Sequence, residues 1–103
     1  METNFIYQVW KITKKIPKGK VVTYGQIASL ISTKFVPRLV GFVLHQNKDP
    51  NVPCHRVVNR AGKIAQNYVY GGLSEQKKKL ESENVKFRDK MHVDLKKYQW
   101  SKF

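Results

Sequence analysis

The chain has 103 residues, enough for one domain with one modest core. Twenty Lys plus Arg against seven Asp plus Glu give a formal charge of +13, more than a neutral-substrate surface requires, and point to a polyanionic partner, nucleic acid first. No stretch approaches the ~20 apolar residues of a membrane span or forms the apolar run of a signal peptide, and the lone cysteine excludes an intrachain disulfide and a multi-cysteine metal site while fitting a reducing, intracellular compartment.

Residues 4–16 carry Phe5, Val9, Ile12 and Ile16 at i, i+4, i+7 and i+11, one face of a helix, with Lys11, Lys14 and Lys15 on a solvated face. Pro17-Lys18-Gly19 ends it, and Val21-Val22 is a brief extended link. Thr23-Tyr24-Gly25-Gln26 is a capping box, which predicts a helix of about two turns with Ile27, Ala28, Leu30 and Ile31 facing the core. Ser32-Thr33-Lys34 breaks that helix. Pro37 suits the first position of the next, which is expected to run to about Gln46 and to bury Val40, Val43 and Leu44. Two short helices joined by a short polar turn make a helix-turn-helix candidate, with Arg38 at the start of the second helix. Asn47 follows where a left-handed C-terminal cap is expected, and residues 48–51 form a loop.

The most informative stretch is Val52-Pro53-Cys54-His55-Arg56-Val57-Val58. Pro53 fixes its own φ and biases Val52 towards extended backbone, so Cys54 is presented in a defined conformation. A lone cysteine is by default a small buried hydrophobe. Here His55, Arg56 and Arg60 are cationic neighbours that favour the nucleophilic thiolate. Val57-Val58 reads as a strand, residues 59–62 as a hairpin turn, and Lys63-Ile64 as a short return strand. Residues 65–72 contain Tyr68, Tyr70, Gly71 and Gly72, and the glycine pair permits tight backbone beside a ligand. Ser74 is a fair N-cap for a helix over residues 75–83, on which Lys77, Lys78 and Lys79 form a solvated face. Val85, Phe87 and Val93 give a small apolar strand pair, and Asp94 caps a final turn. The fold expected is mainly α with minor β (α+β).

Pro53-Cys54-His55-Arg56-Val57-Val58 resembles the active-site motif of O6-alkylguanine-DNA alkyltransferases, the methylated-DNA-protein-cysteine methyltransferases. Lys20-Val21-Val22-Thr23-Tyr24-Gly25-Gln26-Ile27-Ala28 is similar to the segment that opens their DNA-binding helices, and Arg38-Leu39-Val40-Gly41 to their arginine-finger motif. The resemblance runs from about Phe5 to Trp100. It implies a winged-helix-like helix-turn-helix domain of the alkyltransferase C-terminal type over residues 1–103, without the N-terminal domain of the long enzymes. Residues 93–100 also resemble the end of the short alkyltransferase-like proteins, which usually lack the cysteine that this chain keeps.

The resemblance implies an activity: single-turnover transfer of an alkyl group, methyl in the simplest case, from O6-alkylguanine in DNA to Cys54 after base flipping. His55, oriented by Glu83, would take the thiol proton. Asn47 would bridge the recognition helix to the active-site turn, and Tyr24 would crowd the target phosphate and protonate the leaving guanine. Thr23, Tyr24, Arg38, Lys34 and Arg56 are the expected DNA contacts, with Arg38 filling the place of the flipped base. Val57, Gly71, and Tyr68 or Tyr70 are the expected base pocket. Taken by itself, Tyr24 is equally a packing residue and Arg38 an ordinary phosphate contact. The implied partner is double-stranded DNA containing O6-alkylguanine, met by a monomer in the cytoplasm or nucleoid or in the nucleus, with no cofactor, metal or membrane. The alternative is a non-catalytic alkyltransferase-like protein that binds the lesion and flags it to excision-repair proteins. A major-groove transcription factor is a third reading and gives Cys54 no role.

Overall fold

The computed structural model describes residues 3–32, 37–66 and 68–103. Helix α1 is Thr3–Thr13, α2 Tyr24–Ile31, α3 Pro37–His45, α4 Gly72–Ser82 and α5 Leu95–Tyr98. Strand β1 is Val22–Thr23, β2 is Val57–Val58, and a single 3₁₀ turn, Cys54–Arg56, leads into β2. The chain is thus mostly helical with a small sheet. No helix among the described residues is long and apolar enough to cross a membrane.

The two-stranded sheet divides the interior. Val22 pairs with Val57 and Thr23 with Val58 in parallel register. Side chains alternate along a strand, so Val22 and Val57 enter one core with Phe5, Val9, Ile27, Val40 and Cys54. Val21 and Val58 enter a second core with Ile64, Leu80, Val85 and Val93. The first core lies under the three N-terminal helices, the second under α4 and the C-terminal segment. Cys54 therefore stands on the first core, one turn before the strand that separates the two.

The N-terminal helices form where the apolar periodicity puts them. Phe5, Val9 and Ile16 are buried, although α1 itself ends at Thr13 and Ile16 follows in a tighter turn. The capping box is complete: Gln26 N–H donates to Thr23 Oγ1 at 3.1 Å, and Thr23 N–H donates to Gln26 Oε1 at 2.9 Å. Gln26 Nε2 also donates to the Trp100 carbonyl at 2.8 Å, which pins the C-terminal segment to the start of α2. Ile27 and Ala28 face the core as expected, but Leu30, in the last turn of α2, is 49% exposed. Helix α3 buries Val40, Val43 and Leu44.

Four local expectations are corrected. Of the extended link at Val21-Val22, Val21 bridges to Gln99 while Val22 opens β1, and the partner of β2 is β1 rather than Lys63-Ile64. The turn at Asn59 does form, with Asn59 N–H donating to the Lys63 carbonyl at 3.1 Å, but Lys63 bridges to His92 and Ile64 N–H donates to Met91. Helix α4 starts at Gly72 with Gly71 as its N-cap, three residues before the serine predicted to cap it. Gly71 has φ +114, a backbone conformation that favours glycine, and a β-carbon there would collide with Glu75. Asn47 is not left-handed. Among the described non-glycine residues that conformation belongs to Asn84, with φ 67. Asn84 N–H donates to the Glu81 carbonyl and Val85 N–H to the Leu80 carbonyl, a Schellman ending for α4 that leaves Glu83 as the C-cap.

Candidate functional site

Cys54 is 6% exposed. Its thiol accepts a hydrogen bond from Asn47 Nδ2 at 3.3 Å and donates a long one to the Leu44 carbonyl at 3.8 Å. Asn47 is buried just past the end of α3, and its conformation is set on both sides: Nδ2 donates to the Asp49 carbonyl at 2.8 Å, and Oδ1 accepts from Asp49 N–H at 3.1 Å. The same Nδ2 lies 3.4 Å from the Tyr70 hydroxyl. One amide thus links the end of α3, the cysteine turn and the tyrosine loop.

A cavity opens onto the thiol between Tyr24, Gly41, Leu44, His45, Tyr68 and Val69. A wider groove continues from it along α3, past Arg38 and Phe42 to Asn59 and Lys63; Tyr24, Gly41, His45 and Ala65 line both. Arg38 is exposed at the start of α3, so its guanidinium has access to that groove.

Burial pushes the Cys54 thiol up to about 11, in spite of the lowering hydrogen bonds from Asn47 and the backbone and the positive charge of Lys79. Tyr24, Tyr68 and Tyr70 are all raised, by burial first and then by the neighbouring Cys54, with Tyr68 reaching about 12. Three neutral phenols therefore surround a neutral thiol at pH 7. This corrects the expectation of a thiolate favoured by Arg56 and Arg60. Arg60 is exposed on the turn after β2, and Arg56 is engaged elsewhere.

Arg56, His55 and Glu83 form a compact ion cluster on the other side of the turn. Arg56 Nε donates to Glu83 Oε1 at 3.0 Å, Nη2 to Oε2 at 2.6 Å, and Nη1 to the Ile16 carbonyl at 2.8 Å. His55 Nε2 lies 3.1 Å from Glu83 Oε2. Since a carboxylate accepts, Nε2 carries the proton and Nδ1 is the basic nitrogen. Burial lowers His55 more than Glu83 raises it, with Arg56 and Lys79 adding to the lowering, so the ring is neutral at pH 7. Burial would raise Glu83, but the hydrogen bonds from Arg56 and His55 outweigh it and hold the carboxyl below its ordinary value. Arg56 is therefore not free to meet a phosphate, because its donors are committed inside the protein.

The remaining expected site residues fall into three groups. Thr23 uses its side chain in the α2 cap, and Val57 is fully buried in the sheet, away from the cavity wall. Gly71 caps α4 rather than facing the thiol. Of the two tyrosines left open, Tyr68 lines the cavity and Tyr70 touches Asn47. Lys34 lies outside the described residues. Among those residues no cluster of His, Cys, Asp and Glu is arranged to hold a metal ion.

Two residues escaped the sequence reading. Gln76 is 1% exposed; its Nε2 donates to the His55 and Val57 carbonyls, both at 3.2 Å, and its Oε1 accepts from Ala65 N–H at 2.8 Å. It fastens α4 to the cysteine turn and to the cavity rim. Its signal was the spacing Leu73, Gln76, Leu80, Glu83, which puts it on the inner face of α4. Lys79, read as a solvated lysine, donates to the Tyr68 hydroxyl at 2.8 Å.

Comparison with known proteins places the chain in a family. Residues 4–85 match the profile of the family described as 6-O-methylguanine DNA methyltransferase, DNA binding domain. The "DNA base-flipping protein" of Escherichia coli (strain K12) is 37% identical over 101 residues, covering 97% of this chain and 77% of the relative. The "Methylated-DNA--protein-cysteine methyltransferase" of Thermococcus gammatolerans is 43% identical over 86 residues, covering 82% of this chain and 47% of the relative. The crystal structure of S. pombe Atl1 in complex with damaged DNA containing O6-carboxymethylguanine superimposes with a TM-score of 0.82 at 32% identity, covering 98% of each chain. With most of its length matched, and with a cysteine at the centre of its site, the chain belongs to the 6-O-methylguanine DNA methyltransferase family and is built like the family's short alkyltransferase-like members.

Proposed function

We propose that the protein repairs O6-alkylguanine in duplex DNA by moving the alkyl group onto Cys54 in a single turnover. The observation that carries this reading is a cysteine thiol, held by Asn47, at the end of a cavity that continues into a groove containing Arg38. The substituent on O6 is out of reach inside the duplex, so the nucleotide has to rotate into the cavity, at a cost of a few kcal/mol that is smaller for a poorly paired damaged base. Arg38 fills the vacancy from the groove. The net +13 charge supplies affinity for the phosphates, and this falls as salt rises.

The chemistry is an in-line displacement. The thiol proton passes to His55 Nδ1, directly or through a water. The sulfur electron pair forms the new S–C bond, the C–O6 bond breaks, and its electron pair stays with the guanine, which leaves neutral after protonation by Tyr24. With the thiol at about 11, roughly one molecule in ten thousand holds a thiolate at pH 7, a deprotonation cost of about 5 kcal/mol. Transfer of the proton to His55, directly or through a water, reduces that cost as the substrate binds. The thioether product is stable, so each molecule acts once.

A second reading is supported by two proteins matched over nearly the whole chain, one named for base flipping and the other Atl1. In that reading the protein holds the flipped lesion and flags it for excision repair. The two separate on whether the DNA loses its methyl group. Protein in excess over an O6-methylguanine duplex is expected to convert the lesion to guanine in one exponential phase, and Cys54→Ala to bind the duplex without converting it. Binding without conversion by the unaltered protein favours the flagging role.

A further inference from the structure

Lys79 is a cation seated on the two tyrosines next to the Cys54 cavity. Its ammonium donates to the Tyr68 hydroxyl at 2.8 Å and stands 5.1 Å from the Tyr68 ring centre and 5.0 Å from that of Tyr70. The two rings meet edge to face, 6.0 Å apart. Tyr68 forms part of the cavity wall, and the Tyr70 hydroxyl lies 3.4 Å from the Asn47 amide that bonds the thiol. A lysine on an exposed helix face has no need of two aromatic partners and a buried phenol. Cation–π contacts at exposed sites are individually weak, so a pair of them together with a hydrogen bond marks one preferred place for the ammonium.

We propose that Lys79 is a positioning residue of this site: it latches Tyr68 to Tyr70 and sets a positive charge on the tyrosine wall of the Cys54 cavity, which offsets part of the cost of an anion at sulfur. This rests on the reading of Cys54 as the alkyl acceptor, but it concerns the free protein and is tested without DNA. The neighbouring arginines do not supply this charge, since Arg56 is neutralised by Glu83 and Arg60 points to solvent exposure. Lys79 lowers the thiol, working against burial and Asp49. The other ionisable groups around the sulfur are the neutral phenols of Tyr24, Tyr68 and Tyr70 and the neutral imidazole of His55, with His45 on the cavity wall and Asp49, which pairs with Lys14 at 3.8 Å. Glu75 and Glu83 lie one turn either side of Lys79 on α4, but Glu75 pairs with Lys78 and Glu83 with Arg56 and His55.

Two alkylating agents of similar size read the charge. Iodoacetamide is neutral and iodoacetate is an anion; with either, the thiolate displaces iodide and one S–CH₂ bond forms as the C–I bond breaks. The ratio of their rate constants at Cys54 therefore reports local potential, and the pH dependence of either reports the thiolate. Lys79→Met is expected to lower the iodoacetate-to-iodoacetamide ratio about threefold and to move the pH midpoint upward by about half a unit. Lys79→Arg should keep both near the original values. Lys78→Met removes the same charge one residue away, on a side chain 77% exposed, and should leave both unchanged. The ¹³C shift of the Cys54 β-carbon against pH gives the same midpoint without any reagent, should the buried thiol react slowly. Equal ratios and midpoints in Lys79→Met and Lys78→Met would overturn the proposal, whatever the protein does to alkylated DNA.

Discussion

The two flanks of the Cys54 turn are made of different chemistry. On one flank, Arg56, His55 and Glu83 satisfy one another: a bidentate guanidinium and an imidazole share one carboxylate, and the Ile16 carbonyl takes a further Arg56 donor. On the other, Asn47, Tyr24, Tyr68 and Tyr70 surround the thiol with neutral groups. The first flank fixes where the turn sits; the second leaves the sulfur protonated until something enters the cavity. In this protein the charged Arg56 and Glu83 hold the structure, whereas the groups that hydrogen-bond the thiol, the Leu44 carbonyl and Asn47, come from the end of α3 and the loop that follows it.

The sharpest way to break that contrast is Glu83→Ala. It removes the acceptor for Arg56 and His55, whose side chains are only 12% exposed, and strands the buried Arg56 charge. Removing one partner of a buried pair costs about 3 kcal/mol or more, to be read from the midpoint of denaturant unfolding. The pH profile has the same origin. Glu83 is held below its ordinary 4.5 in the folded state, so its contribution is present above that value and is lost as the pH falls through the folded value. His55 is likewise depressed below 6.5 and resists charging, so it contributes above pH 6.5 and loses that contribution as the pH falls. Cys54 is raised, so its contribution is full below 9 and is lost as the pH rises towards about 11. Stability is expected to fall on the acid side first from His55 and then from Glu83, and Glu83→Ala should flatten the lower step.

Asn47→Ala tests the other flank. It deletes a buried amide that satisfies the Asp49 backbone and touches both sulfur and Tyr70. The expected loss is about 2 kcal/mol, with the thiol midpoint moving further up, since Asn47 is its strongest lowering influence. A loss of stability with no change at the thiol would confine Asn47 to a structural role.

Asn84 carries the smallest of the three effects. As the left-handed residue after α4 it decides where Glu83 stands. Asn84→Gly should be near neutral. Asn84→Val is expected to cost about 1 kcal/mol or somewhat more and to disturb the ion cluster without touching it, because a β-branched side chain resists that backbone conformation. Thermal unfolding of the two variants compares them directly.

How far the sequence could be read follows from whether a feature is local. The α1 stripe, the Thr23–Gln26 capping box and Pro37 are local, and the helices formed accordingly. The Val22–Val57 pairing joins segments 35 residues apart through two-residue strands, and no pattern in either announces it. Gly71 and Asn84 were missed because Ser74 and Asn47 are equally good cap residues, and the backbone decided between them. The meeting of Cys54 with Asn47, and of His55 with Glu83, was anticipated from the family motifs. The commitment of Arg56 to Glu83 was not, because a charge beside a cysteine looks the same in sequence whether or not it is already paired. Lys79 was hidden in a run of three lysines, and it differs from its neighbours in facing Tyr68 and Tyr70.

The central claim, that this protein takes the alkyl group onto its own cysteine, is tested most directly by intact-protein and peptide mass spectrometry after incubation with an O6-methylguanine duplex. The account predicts a gain of one methyl group, about 14 Da, at one equivalent per protein, located on the peptide that contains Cys54 and absent from Cys54→Ala. Protein that binds the duplex tightly yet keeps its unmodified mass would contradict it.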